Sequence, residues 1–225
     1  MNVLMTLEIA AECHPERVAV TCGERSIRYG KMLEAARRAG AKIRASGCRY
    51  VGFLDVNSIA APVALYAAAC AGLPYVPMNY RLTKPEIQAL LARIAPAWLV
   101  ADPALLEGVE IPAGFTLVDR ETFLRDALDA NVRADDPAPA EPDAVAVQLF
   151  TSGTTGAPKA AVLRHENLMS YILGTVEFGA AQDDDATLVA VPPYHIAGIS
   201  AILSSTYACR RMVQLPNFDG KAWLD

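Results

Sequence analysis

Between residues 50 and 100 the chain alternates at short intervals between runs that suit buried strands and runs that suit helices. That alternation restricts the fold more than any other feature. Tyr50–Leu54, Tyr75–Met78 and Trp98–Val100 are apolar runs of strand length. They are separated by the alanine-rich stretch Ser58–Ala71 and by a segment opening on Thr83-Lys84-Pro85-Glu86. The latter is a capping box with proline in the first turn, where its missing N–H costs nothing. Strands joined through helices in this way run parallel, with the helices on the sheet faces. The expected fold class is therefore α/β, with parallel-rich sheets flanked by helices. Asp55, Asn57 and Ser58 fall just past a strand, at the carboxyl edge where open α/β sheets place ligands, but helix capping by Asn57 or Ser58 is the preferred explanation.

On either side of this region the pattern is less regular. Residues 3–12 read as an amphipathic helix, and Val18–Cys22 and Ser26–Tyr29 read as a hairpin around Gly23-Glu24. Lys31–Ala45 reads as a helix whose charged side, with Arg37, Arg38, Lys42 and Arg44, is expected to be solvated. Residues 131–143, NVRADDPAPAEPD, combine three prolines with four acidic residues and read as an exposed, stiff linker. This divides the chain into a first α/β subdomain, 1–130, the acidic Pro-rich linker, 131–143, and a second α/β portion, 144–225. In the second portion, His165–Phe178 reads as a helix, Gln182–Asp185 as a polar turn and Thr187–Val191 as a strand. Asp183-Asp184-Asp185 lacks the glycine and glutamate spacing of a calcium loop and reads as a solvated turn.

The chemistry concentrates in Thr151–Lys159, TSGTTGAPK, directly after the apolar run Ala144–Phe150. Gly153 and Gly156 let backbone N–H groups turn toward an anion. The hydroxyls of Thr151, Ser152, Thr154 and Thr155 can donate to phosphate oxygens, and Lys159 adds a positive charge. A Walker A loop needs its lysine immediately after the second glycine, at the start of a helix. Here Ala157 and Pro158 intervene, and Ala160–Leu163 suits a second strand, so the spacing predicts a hydroxyl-lined hairpin.

The run TSGTTGAPK, followed by His165, Asn167 and Leu168, resembles the loop of the acyl-adenylating (AMP-binding) superfamily, most closely that of the fatty-acid and other acyl-CoA synthetases. Two further segments agree, in the same order along the chain. Ala71–Leu82 (AGLPYVPMNYRL) is similar to that family's AGAxYVPLNPRL segment, and Val191–Ile199 (VPPYHIAGI) is similar to its PLFHxxG segment. One position departs from the pattern: Ala160 stands where glycine is usual.

The resemblance implies the N-terminal domain fold of acyl-CoA synthetases, in truncated form. It also implies an ATP-dependent ligase that joins a carboxylic acid to AMP and passes the acyl group to CoA, with Mg2+ on the phosphates. Thr151, Ser152, Gly153, Thr154, Thr155, Gly156 and Lys159 would hold ATP, Thr151 would also contact the metal, Lys159 and His195 would be catalytic, and His165 would orient the helix behind the hairpin. Ser200, Ala201, Ser204 and Ser205 are compatible with an apolar tunnel for a fatty acyl chain. Two alternatives stand beside this reading: an adenylating domain that loads a carrier protein, and a non-catalytic nucleotide-binding module. Because the family's enzymes are more than twice as long, a missing C-terminal half is expected. Such a piece exposes apolar surface and sheet edges, which favour pairing with that half or with a second copy as a homodimer.

Composition is consistent with this. Twenty basic against 25 acidic residues leave a net charge of −5, which does not favour nucleic acid as a partner. No unbroken run reaches the roughly 18 uncharged apolar residues of a membrane span, and the start of the chain, with Glu8 and Glu12 among its apolar residues, is unlike a signal peptide. Five widely spaced cysteines without a C-x-x-C pair read as reduced core thiols in a cytoplasmic protein. His14, His165 and His195 lack metal-ligand spacing.

Overall fold

Strand–helix alternation does become a mostly parallel sheet. The computed structural model describes residues 1–132, 134–138, 141–151 and 158–224. Among them, β3 (Tyr50–Leu54), β4 (Tyr75–Pro77), β5 (Ala97–Ala101), β6 (Thr116–Val118), β7 (Val145–Thr151) and β8 (Lys159–Arg164) form one sheet in the order β6-β5-β3-β4-β7-β8. Every pair in it is parallel except β7 with β8, which is antiparallel. A second sheet has the order β2-β1-β10-β9, built from β1 (Val18–Cys22), β2 (Arg25–Arg28), β9 (Ala186–Val189) and β10 (Arg211–Gln214). Its β1–β2 hairpin is antiparallel, and its β1–β10 and β10–β9 pairs are parallel. Each sheet thus takes strands from both sides of the 131–143 stretch.

The helices cover these sheets according to their apolar patterns. In α2 (Tyr29–Ala45), Met32, Ala35, Ala36, Ala39 and Ile43 are buried at the i, i+3, i+4, i+7 spacing of one helix face. Every residue of α3 (Ala60–Ala71) is buried, as an alanine-rich helix with no polar side must be. In α4 (Lys84–Ile94), Ile87, Leu90, Leu91 and Ile94 pack on the opposite face of the first sheet with Val76, Leu99 and Ala101. Its predicted capping box is present: the Thr83 N–H and Oγ1 donate to Glu86 Oε2 at 2.8 and 2.7 Å. The remaining helices are α1 (Leu4–Cys13), α5 (Pro103–Leu106), α6 (Arg120–Leu128), α7 (His165–Thr175), α8 (Ile196–Tyr207) and α9 (Gly220–Leu224).

Several expectations are corrected here. The charged side of α2 is partnered rather than merely solvated: Arg37 meets Glu8 at 2.8 Å, Lys42 meets Asp126 at 2.8 Å, Arg38 donates to the Val132 carbonyl at 3.1 Å, and Arg44 donates to the Asp136 carbonyl at 3.1 Å. The Arg38 and Arg44 bonds, together with the Ala138 N–H to Cys70 carbonyl bond of 2.8 Å, tie Val132, Asp136 and Ala138 to α2 and α3. All five cysteines are free thiols, but only Cys48, Cys70 and Cys209 are buried; Cys13 is exposed and Cys22 intermediate. Neither Asn57 nor Ser58 caps α3, whose N-cap is Ile59.

The tightest helix contact is at Gly40, where an added Cβ would lie 2.5 Å from Cys70 Cβ and 3.0 Å from the Ala67 carbonyl oxygen. Gly40→Ala gains about 1 kcal/mol of helix propensity but forces two packed helices apart, which costs about 1–3 kcal/mol. Because the opposing atoms belong to backbone and a short side chain, the clash outweighs the propensity gain. Chemical denaturation of Gly40→Ala is expected to show a net loss of up to about 2 kcal/mol, and a raised midpoint would contradict this packing.

His165 gives a second test. It is buried at the start of α7, and its Nδ1 accepts the Val3 N–H at 3.3 Å, which joins the first helix to the end of β8. Burial first, and then the positive chain terminus, lowers its pKa to about 4. The folded pKa lies below the unfolded value, so this group's contribution is full above about pH 6.5 and is lost as the pH falls through 4. Stability is expected to fall by up to about 3 kcal/mol over that window. The slope should be shallower in His165→Gln; an identical pH profile would show that His165 is not the titrating group.

Candidate functional site

A strand leading into a glycine- and hydroxyl-rich turn, with a second strand behind it, forms a hairpin, as the spacing of Thr151–Lys159 predicts. Residues 145–151 pair antiparallel with 159–164, and Thr151 opposite Lys159 is the final pair. Residues directly opposite in an antiparallel ladder present their side chains on the same face, so Lys159 and Thr151 emerge together, both exposed. Thr151 Oγ1 also donates to the Lys159 carbonyl at 3.4 Å. Ala160 pairs with Phe150 in ordinary extended backbone, which explains why glycine is dispensable there. Ser152, Gly153, Thr154, Thr155 and Gly156 lie outside the described residues.

Beside the hairpin tip is a cavity of about 550 Å3, within the range of small-molecule sites. Leu149, Phe150, Thr151 and Pro158 form one wall; Asn79, Leu82, Glu86, Ala89 and Leu90 form the second; Tyr194, His195 and Ile196 form the third. The fold therefore brings Thr151 and His195 to one cavity, with Lys159 on the strand next to Thr151. The cavity is mainly apolar, with a few polar groups at its rim, which is the make-up of a site that orients an apolar molecule through a polar end.

His195 lies beyond the end of a strand, at the start of a helix. The strand β9 stops at Val189, and His195 is the N-cap of α8, with its carbonyl accepting the Gly198 N–H at 2.9 Å and the Ile199 N–H at 3.3 Å. The two prolines end the strand early, since each removes a ladder donor. A Cβ at Gly198 would lie 3.0 Å from the Pro192 carbonyl oxygen, so glycine there lets the loop fold back on its own helix. The His195 ring packs against Tyr194 with centroids 4.8 Å apart, and Tyr194 meets Tyr80 edge-on at 5.4 Å. Tyr80 Oη in turn donates to Asn217 Oδ1 at 2.8 Å. Ser200, Ala201, Ser204 and Ser205 all lie on α8, where Ser205 is buried and Ser200 Oγ donates to Tyr171 Oη at 3.1 Å.

Asn57 holds this third wall in place. It is buried, and its Nδ2 donates to the carbonyls of Val191, at 2.9 Å, and Leu215, at 3.1 Å, while its N–H donates to the Pro216 carbonyl at 3.3 Å. One side chain after β3 thus ties the end of the first sheet to the segments leaving β9 and β10. The neighbouring Asp55 is also buried and accepts from Val56 N–H at 2.7 Å and Arg120 Nη1 at 2.8 Å. Burial still pushes its carboxyl pKa up, against the pull of those two donors. The carboxyl edge of β3 therefore carries a structural polar network, and its residues do not line the cavity beside the hairpin.

Sequence reasoning did not assign the second wall to the site. The MNYRL segment and the capping box were both legible, but nothing local shows that α4 faces the hairpin tip. Asp183 forms an ion pair with Arg17, and no cluster of three metal-ligating side chains occurs among the described residues.

Comparison with known proteins agrees with the motifs. The family described as AMP-binding enzyme matches residues 7–225. The chain is 28% identical over 233 residues to the indoleacetate–CoA ligase of Aromatoleum aromaticum, covering 96% of this chain and 45% of that protein. It is 28% identical over 211 residues to the fatty acid–[acyl-carrier-protein] ligase ScoC of Streptomyces coeruleorubidus, covering 88% and 40% respectively. The crystal structure of apo MatB from Rhodopseudomonas palustris superimposes with a TM-score of 0.84 at 27% identity, over 100% of this chain and 47% of that one. The chain thus spans less than half the length of each of these three proteins.

Replacing Asn57 with Ala leaves two part-buried carbonyls without their donor, each costing up to about 1–3 kcal/mol. Asn57→Ala is expected to lose about 2–4 kcal/mol in urea melts and to speed amide exchange at Gly198 and Ile199. Loss of stability with exchange unchanged in that segment would separate Asn57 from the positioning of His195.

Proposed function

The chain belongs to the AMP-binding enzyme family, and on that premise we propose that it supplies the phosphate-binding loop and part of the acid pocket of an acid:CoA ligase. That enzyme activates an apolar carboxylic acid, of the fatty type, as acyl-AMP and transfers the acyl group to CoA. The observation that carries this reading is the convergence of Thr151 and His195, from separate motifs, on one cavity, with Lys159 beside Thr151. Adenylation brings a carboxylate up to the α-phosphate of ATP and expels pyrophosphate. Placing two anions together and neutralising charge are its main demands.

Within this scheme Lys159 and the hydroxyls and backbone of Thr151, Ser152, Gly153, Thr154, Thr155 and Gly156 hold the phosphates. His195, at the mouth of the apolar cavity, orients the acid's carboxylate. Leu82, Leu90, Leu149 and Ile196 supply the apolar walls for the acyl part. Mg2+ typically keeps waters and substrate phosphate oxygens and takes only one or two protein ligands. The exposed Thr151 hydroxyl fits that donor set, and the bound ion would lower the charge on the phosphates. The five free thiols accord with a cytoplasmic protein, and no helix among the described residues is long and apolar enough to cross a membrane.

The likeness to ScoC supports a second reading, in which the acyl group passes to a carrier protein. Acid-dependent pyrophosphate exchange on the whole protein, with fatty and aromatic acids, tests the first half-reaction. Thioester formation with CoA against phosphopantetheinylated carrier protein tests the second. Lys159→Ala is expected to weaken ATP binding by about 10-fold or more, the effect of losing a charged hydrogen bond. Unchanged ATP affinity and exchange rate in that variant would remove the loop from the site.

A further inference from the structure

On α4, Glu86, Ala89 and Arg93 follow one another at i, i+3 and i+7, which is one stripe of a helix. The first two of these line the cavity, and the stripe ends at Arg93. Arg93 is exposed and lies outside the buried row of Ile87, Leu90, Leu91 and Ile94, so the packing of α4 does not require it. Its guanidinium lies over the ring of Phe150, 4.7 Å from the centroid, while Nη1 donates to the Pro158 carbonyl. Phe150 immediately precedes Thr151, and Pro158 immediately precedes Lys159. A single side chain therefore grips both strands at the root of the loop, one by its ring and the other by its backbone.

From this geometry we infer that Arg93 is a positioning residue for the phosphate-binding loop, acting through Phe150 and Pro158. The inference rests on the assignment of that loop to ATP. The ladder between β7 and β8 fixes the two strands relative to each other, but it does not fix the hairpin tip relative to α4. Arg93 does, because it spans from the second wall of the cavity to the first. Arginine suits this position: its planar guanidinium stacks on an aromatic face while its N–H groups remain in the plane to donate. Lysine can donate to the Pro158 carbonyl but cannot stack in the same way. Holding the tip against α4 sets the width of the cavity and the place from which Thr151 and Lys159 reach the phosphates.

The test uses Arg93→Ala and Arg93→Lys in the whole protein, with Lys159→Ala as the reference. Arg93→Ala is expected to raise KM for ATP about five- to tenfold, the size of effect of one stacked and hydrogen-bonded arginine. The acid KM should change less than twofold, the thermal midpoint should hold, and Arg93→Lys should recover part of the loss. Hydrogen exchange on the present chain should quicken at Phe150, Thr151 and Ala160 in Arg93→Ala and stay unchanged at Val145–Val147. If Lys159→Ala weakens ATP binding and Arg93→Ala changes neither the ATP KM nor the exchange at the hairpin tip, the positioning role is wrong while the loop assignment stands. If Lys159→Ala is silent too, both fall together. A drop in thermal midpoint with equal losses for ATP and acid would assign Arg93 to general stability instead.

Discussion

The parallel pairing of β4 with β7, with Tyr75 opposite Val147, is the contact on which the rest of the arrangement depends. Local crossovers build β3, β4, β5 and β6 into a sheet from residues 50–118, and that sheet needs nothing from the second half of the chain. The β4–β7 pair adds the later hairpin to it. Once β7 lies beside β4, the ends of β7 and β8 at Thr151 and Lys159 stand at the carboxyl edge of the parallel strands, beside α4. That edge is where crossover connections leave a crevice in an open α/β sheet, and the cavity lined by Thr151 and Glu86 occupies it.

The second sheet is joined to this frame not by strand pairing but by a shared apolar core, in which Val20, Val189 and Met212 lie in one buried cluster with Phe53, Tyr75 and Val147, and buried polar contacts elsewhere add to it. Asn57 reaches the carbonyls of Val191 and Leu215, and His165 accepts from Val3. Each of these contacts satisfies groups that would otherwise be buried and unpaired, so breaking one costs more than its making contributes. They also set direction. Asn57 aims the segment after β9, and that segment delivers Tyr194 and His195 to the cavity. Structural contacts and site geometry are coupled at a single amide side chain.

Much of the architecture was legible because it rests on short-range causes. Proline and a capping box set the start of α4, an all-apolar alanine run could only be a buried helix, and two residues between Gly156 and Lys159 excluded a helix-dipole loop in favour of a hairpin. Other features were not legible. The strand β10 and the helices α6 and α8 carry weak local patterns and are held by tertiary partners, as when Tyr29 Oη donates to the Arg210 carbonyl at 2.8 Å. Asn57 looked like a cap because the same side-chain chemistry serves capping and long-range bonding alike. The charged side of α2 looked solvated because its partners lie far along the chain, at Asp126, Val132 and Asp136.

The sequence by itself determined the alternation of elements, the hairpin form of the Thr151–Lys159 loop and the chemistry that loop can perform. All three follow from spacing within a few residues and from the side chains' own donors and charges. Only the tertiary structure decided what the loop faces: α4 with Arg93 on one side and the His195 segment on the other. No local rule encodes that juxtaposition. It follows from which strands pair, and the pairing is selected by apolar burial over the whole of both sheets rather than by any one stretch of the chain.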